Sequence, residues 1–330
     1  MTFSGLENSL LSRMFGFRFL YAYRGLGRSR RRTALVLSTI AISVITMILA
    51  QAFAVEVFRF WIRSTTESGV GDVQIHRAGA WQESVTLSRE LSFHIDDDLL
   101  RVLGSDSEVA GVATRIEFDG LISAGSRSVY FSGMGIDADT EAIVSPRLTN
   151  YLSSRDRLFP PDASNQVIIG RGLADTLGVD AGQSIRLSAY TIDQQLNTVD
   201  AMVEAVIDYP DSRQSKRLLY LPVTLAEQLL SMTGLRNELA IKLRDSELVT
   251  QWVQRYGAIN NAAEFRPWWE IIPPIKRVET IWKSVLTVVC ILLFVSTALS
   301  LLTAIFLTVT ERTVEIGVLS ALGAKRRDIM

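Results

Sequence analysis

A single cysteine, Cys290, leaves no partner for an intramolecular disulfide and no basis for a cysteine-liganded zinc site. Two histidines, His76 and His94, are too few for a histidine-rich metal cluster. No stretch reads G-x-x-x-x-G-K-[ST], so the chain has no visible means of hydrolysing ATP itself. The G-x-S-x-G elbow and the H-E-x-x-H helix are missing as well. Only eight prolines and 21 glycines among 330 residues, 48% of them hydrophobic, exclude a collagen-like or low-complexity chain and argue against disorder. Catalysis is not expected, nor is a cofactor or a metal.

Charge is absent from two long stretches. Residues 33–55 are 23 consecutive uncharged residues between Arg32 and Glu56; residues 284–310 are 27 more between Lys283 and Glu311. As helices they rise about 34 Å and about 40 Å, against a hydrocarbon core of about 30 Å. β-Branched residues weaken such helices in water, but in lipid every unpaired backbone group is costly, so the helix wins. The rival reading of the first stretch is a cleaved signal peptide, since Ala50-Gln51-Ala52 and Ala52-Phe53-Ala54 fit a small-x-small pattern. Its apolar run exceeds the roughly 7–15 residues of a signal sequence and follows a long N-terminal region, so an uncleaved anchor is expected.

The charges that are present fall in three blocks. Residues 1–33 carry seven Arg and one Glu, residues 56–283 carry 23 basic and 31 acidic side chains, and residues 311–330 carry four basic and three acidic. Arg28, Arg30, Arg31 and Arg32 precede the first stretch; Arg312, Lys325, Arg326 and Arg327 follow the second. By the positive-inside rule both flanks are cytoplasmic, and the acidic block between them is periplasmic, which places the chain in the inner (plasma) membrane. Phe58, Phe60, Trp61, Trp268, Trp269 and Trp282 are read as interface anchors. In the leading segment Phe15, Phe19, Tyr23 and Leu26 share one helical face and Arg13, Arg24, Arg28 and Arg31 the other. That pattern predicts an interfacial helix whose arginines set topology and touch lipid headgroups, rather than a nucleic-acid arm.

The block between the stretches reads as α+β. Strand-like runs at 114–122 and 128–134 flank Ala124-Gly125-Ser126 and predict a hairpin. Further strands are expected at 166–169, 184–189, 199–207, 217–221 and 238–244, with helices at 96–103, 171–177, 224–232 and 246–256. Along 199–207 the alternation puts Val199, Ala201, Val203, Ala205 and Ile207 on one face. The aspartates at 96–98 suit a helix N-terminus, and no central glycine makes them a calcium loop.

The last segment, Glu311-Arg-Thr-Val-Glu-Ile-Gly-Val-Leu-Ser-Ala-Leu-Gly-Ala-Lys-Arg-Arg-Asp-Ile-Met330, is the most specific. On a helix Val314, Val318 and Leu322 form one stripe, and Gly317, Ser320, Ala321 and Ala324 form a small-residue stripe that admits a close neighbour. Gly323 is placed to end the helix. Glu311 and Glu315 are like charges at i, i+4, easier to explain opposite a basic partner. This segment resembles the cytoplasmic stretch after the second span of MacB/LolC/FtsX-type ABC transporter permeases, with its E-R-x-x-E-I-G-x-L-x-A-L-G-A pattern. Weaker echoes are residues 22–33, residues 166–187 with Ile-Gly-Arg-Gly-Leu-Ala-Asp-Thr-Leu-Gly-Val-Asp-Ala-Gly, and Gly71-Asp-Val-Gln-Ile-His76.

The resemblance implies a membrane protein with two transmembrane α-helices flanking a large α+β, MacB-like periplasmic core. Its organisation would be an interfacial helix in 1–32, spans at 33–55 and 284–310, a periplasmic domain at 56–283 and a coupling segment at 311–330. In that segment Glu311, Arg312, Glu315, Gly317, Ala321, Leu322, Gly323 and Arg326 would dock on a separate ABC ATPase subunit. The other implied partners are a second permease subunit (homo- or heterodimer), a periplasmic carrier or adaptor, and membrane lipids. Function would be transmission of ATP-driven motion to the periplasmic domain, for lipoprotein release or export of hydrophobic or peptide substrates. The alternatives are an FtsX-like relay that activates a periplasmic partner, or a two-pass receptor without an ATPase. The family has four spans while this chain stops at Met330, so a truncated member is expected, the other possibility being that a second chain supplies the remaining spans.

Overall fold

The computed structural model describes residues 30–81, 87–95, 98–152, 157–160, 163–209, 211–259, 261–311 and 313–321. The chain divides into two compact units, Met1–Phe58 with Arg277–Met330, and Arg59–Lys276. Helix α1 (Arg30–Thr65) contains the first uncharged stretch and runs on beyond it. It gives way to a π-helical turn, Thr66–Val70, in which Gly69 has φ of 132°, and Gly71 follows at φ of 77°. Both values lie where glycine is favoured because it has no Cβ.

The larger unit opens with β1 (Val73–Arg77) and the two-residue β2 (Phe93–His94), followed by α2 (Asp98–Ser105). A hairpin follows, β3 (Val109–Ala124) and β4 (Arg127–Ile136), turning at Gly125 with φ of 58°. Asp137 caps α3 (Ala138–Val144) by accepting the backbone N–H groups of Asp139 and Thr140. Next come β5 (Gln166–Gly170) and α4 (Arg171–Leu177), which ends at a left-handed Gly178. Then β6 (Ser184–Tyr190), β7 (Leu196–Ile207), α5 (Ser212–Ser215), β8 (Leu218–Pro222) and α6 (Val223–Leu230) follow. The unit closes with β9 (Leu235–Arg236), β10 (Glu238–Leu243), α7 (Val249–Ile259), β11 (Ala263–Pro267) and α8 (Trp268–Ile271).

Two sheets share one strand. The order β11-β1-β10-β3 is an antiparallel sheet, while β3-β4-β8-β5-β7-β6 returns to β3 and closes a six-stranded barrel. Strand β3 is long enough to serve both, pairing β10 through its residues up to Arg115 and β4 from Ile116 onward. The barrel core holds Phe118 against Phe131, rings edge to face at 5.6 Å, with Leu173 and Leu177 of α4 and Leu225 and Leu229 of α6. The open sheet buries Val73, Ile75 and Ile241 with Leu103 of α2 and Trp252 of α7.

Within the larger unit the strands and helices expected from sequence form, the helix expected at 96–103 running from Asp98 to Ser105 and the one at 246–256 opening with a 3-10 turn. The interfacial helix expected in 1–32 falls mostly outside the described residues. One face assignment needs correction: between Val167 and Ile168 of β5 the register on β7 slips from Val203 to Ala205. The bulge at Glu204 leaves Ala201 and Val203 in the barrel core but turns Ile207, with Ala205, into a separate core with Ile136, Ile168 and Tyr220. Of the expected interface anchors, Phe58 and Trp268 are buried, while Phe60, Trp61 and Trp282 are exposed.

In the smaller unit α9 (Pro273–Glu311) carries the second uncharged stretch and is followed by α10 (Thr313–Ala321). Among the described residues two helices are thus long and apolar enough to cross a membrane. Their apolar side chains are exposed along both helices, Phe53 at 72% and Phe294 at 74%, as is rare on a soluble monomer. Their hydroxyls are satisfied internally: Thr39, Thr297, Ser300 and Thr303 each donate to the carbonyl four residues back. Gln51 Nε2 on α1 reaches Cys290 Sγ on α9 at 3.5 Å.

Candidate functional site

Of the residues expected to couple to an ATPase, Glu311 closes α9, and Glu315, Gly317 and Ala321 lie on α10. Val314 is 79% and Val318 55% exposed, and a Cβ added at Gly317 would meet open space. Among the described residues nothing covers Val314, Gly317 or Val318. Arg312, Leu322, Gly323 and Arg326 lie outside the described residues, as do Arg28 and the interfacial segment; Arg30, Arg31 and Arg32 form the first turn of α1.

A second site, unmarked in the sequence, lies in the larger unit where α1 ends. Glu67 sits in the π-helical turn, and its carboxylate accepts from Arg147 Nε at 3.0 Å and faces Lys242 Nζ at 3.7 Å. The Arg147 backbone N–H also donates to the Glu67 carbonyl at 3.0 Å. Asp72, just past the turn, is fully buried and accepts from the Leu243 N–H at 3.0 Å and from Ser246 Oγ, with Lys242 Nζ at 3.4 Å. Ser68 is held from the other side. Its hydroxyl pairs with Tyr151 Oη at 2.8 Å, and Tyr209 Oη donates to its carbonyl at 3.1 Å. Burial pushes the Tyr209 hydroxyl up to about 12, so it stays a donor at neutral pH.

The same point receives the far end of the domain. Strands β1 and β11 pair antiparallel from Val73↔Pro267 to Arg77↔Ala263, and the Trp268 N–H donates to the Asp72 carbonyl at 3.0 Å. Backbone arriving from α1 and backbone departing toward α9 are thus joined by a strand ladder. Sequence reading missed this because the pairing spans most of the domain, and Glu67, Asp72, Arg147 and Lys242 look individually like surface charges.

A buried charge cluster lies on the α3 side of β3. Arg115, with no exposed surface, donates through Nε and Nη2 to both oxygens of Glu141 at 2.8 and 2.6 Å and through Nη1 to Glu238 at 2.8 Å. Ser145 Oγ accepts a further bond at 3.2 Å. Burial disfavours the charged guanidinium, but Glu141 and Glu238 more than offset this and hold it ionised. Nearby Glu117 is pushed up to about 7, by burial first and then by Glu238 and Asp119.

That shift has a measurable consequence. A carboxyl whose folded value lies above its unfolded value favours the fold when protonated, so its contribution is complete below about pH 4.5 and lost as pH rises through about 7. Glu117→Gln is expected to raise stability at pH 8 by about 2 kcal/mol and to flatten the profile between those limits. His76, whose value burial lowers, acts in the opposite sense, losing stability as pH falls below its ordinary range. Urea unfolding of parent and variant across pH 4–8 separates the two.

Comparison with known proteins comes from family and structure. Residues 33–258 match the MacB-like periplasmic core domain. Among solved structures, the extracellular domain of the noncanonic ABC-type transporter YknZ from Gram-positive bacteria is 13% identical with a TM-score of 0.39, covering 58% of this chain and 98% of that one. The periplasmic region of MacB from Actinobacillus actinomycetemcomitans is 13% identical with a TM-score of 0.40, covering 63% and 94%. No curated protein sequence matches. On the match over residues 33–258, the chain belongs to the family of MacB-like periplasmic core domains of ABC transporter permeases.

Proposed function

We propose that this chain is a permease subunit that carries motion, generated by ATP hydrolysis on a partner subunit, to its periplasmic domain. Membership of the family implies an ATPase partner in general. In this reading residues 33–55 of α1 and 284–310 of α9 cross the inner membrane, the arginine-rich flanks stay cytoplasmic, and 56–283 lie in the periplasm. The observation that carries it is the pairing of β1 with β11, which brings the strands nearest the two apolar helices together at one edge of the domain. Displacement of either helix then acts on adjacent strands instead of distant loops. The substrate would be handled outside the membrane, as lipoprotein release or export of a hydrophobic or peptide molecule; the spans carry no charged residue to line a polar pathway.

Docking of 311–327 on the ATPase is the testable part. Gly317→Leu and Ala321→Trp place bulk on the surface that admits a close neighbour, and overpacking a fitted contact costs about 1–3 kcal/mol, roughly a five- to hundredfold loss of affinity. Glu315→Lys should weaken binding more at low salt, where an exposed pair is least screened. Co-purification and stimulated ATP hydrolysis are the measurements. Wild-type levels for both bulky variants would remove this segment from the coupling path.

A further inference from the structure

A helix that enters a domain through a turn holding Gly69 at φ of 132° and Gly71 at φ of 77° has a natural swivel. Glycine backbone is the softest in the chain, and within the turn only the Thr66 and Ser68 hydroxyls restrain it, donating to the Arg63 and Ser64 carbonyls. The side chains packed around it add the rest, Tyr151 and Tyr209 on Ser68 among them. Glu67 and Asp72 stand on either side of the glycine pair, and Lys242 of β10 reaches both carboxylates. Arg147 grips Glu67 through side chain and backbone, while its guanidinium lies 5.3 Å from the Phe60 ring on the last turns of α1. Arg59, one residue earlier, pairs with Glu247 at 3.3 Å. Strand β10 lies between β1 and β3, so whatever Lys242 holds is tied to the middle of the open sheet.

We infer that Lys242 and Arg147 are positioning residues that convert this glycine-bearing turn from a swivel into a rigid coupling between the root of α1 and the sheet. The inference rests on the proposed transmission of motion, and it assigns the residues that make transmission efficient. Lys242 is mostly buried and Asp72 wholly so, which places the pair where screening by salt is weak. Without the ammonium, Asp72 keeps only neutral donors and Glu67 loses its link to β10.

The test measures stiffness directly. With Cys290→Ser as background, Trp61→Cys on the last turns of α1 and Ser126→Cys at the hairpin tip, both within the larger unit, carry spin labels in the chain reconstituted in lipid nanodiscs. The parent is expected to give one narrow distance distribution. Lys242→Met should broaden it to roughly twice that width, because the turn loses its tie to β10 and keeps only the bonds that Arg147, Tyr151 and Tyr209 make to Glu67 and Ser68. Lys242→Arg, which keeps the charge, should restore the narrow distribution. Arg147→Gln removes a partly exposed partner of Glu67 without touching Asp72, and it should broaden the distribution even if Lys242→Met folds poorly. Parent width in both Lys242→Met and Arg147→Gln overturns the inference. A second arm adds the ATPase subunit and nucleotide to the parent. A shift in mean distance supports the transmission on which the inference rests, and its absence overturns that reading while leaving the stiffness result to stand alone.

Discussion

Replacing Arg115 by methionine is expected to destabilise the protein by about 3–5 kcal/mol, the largest effect of any single change considered. The reason is what remains behind. Glu141 and Glu238 are buried within hydrogen-bond reach of the guanidinium, and among the described residues no other cation bonds them. Remove Arg115 and two carboxylates must either ionise in a poorly solvated interior or take up protons. Arg115→Lys should recover little, since one ammonium cannot reproduce the bidentate grip on Glu141 together with the bond to Glu238. Replacing all three by apolar residues of similar volume should come much nearer to neutral, because the penalty lies in the broken set rather than in its absence. Denaturant unfolding at pH 7.5 gives the ranking; a loss below about 1 kcal/mol for Arg115→Met would mean that water reaches the cluster.

A steric prediction concerns Gly170, the last residue of β5. Its φ of −68° is open to any residue, so backbone conformation does not demand glycine. Space does. A Cβ there would collide with the Ser215 backbone carbonyl, and Gly172, two residues on, is pressed against Lys216 in the same way. Ser215 Oγ meanwhile accepts the Gly172 N–H at 3.0 Å, which fixes α5 against α4. Gly170→Ala should therefore cost about 1–3 kcal/mol, and Gly170→Val more, because backbone cannot swing aside as a side chain can. Gly257, inside α7 with open space around it, is the control: Gly257→Ala should be neutral or stabilising by up to about 1 kcal/mol. Thermal unfolding of the three variants checks the order.

What could be read in advance was local. The hairpin at Gly125, the helix stopped by Gly178 and the two uncharged helices each carry their own signal of period, turn residue or length. Strand β3 was foreseen only in part, since 109–113 gain their meaning from β10, which lies more than a hundred residues away. The bulge at Glu204 breaks an alternation that continues unbroken in sequence, and only a pairing with β5 reveals it. Arg115 lies between Thr114 and Ile116 with no mark of burial, because its partners come from α3 and β10. The resemblance of residues 166–187 to the periplasmic core gains a physical reason in Gly170 and Gly172, whose missing side chains make room for α5.

The placement of β1 also sets a schedule for biosynthesis. Val73 is among the first residues of the larger unit to be made, yet its neighbours are Ile241 on one side and Pro267 on the other. At about 5–20 residues per second, both edges of that strand wait roughly 10–40 s for their partners to be made. During that interval the barrel strands can pair among themselves, since β3 to β8 are complete once Pro222 has emerged. Strand β1 is left for last, with Val73 and Ile75 uncovered and two open edges that invite a chaperone or, failing one, a neighbouring nascent chain.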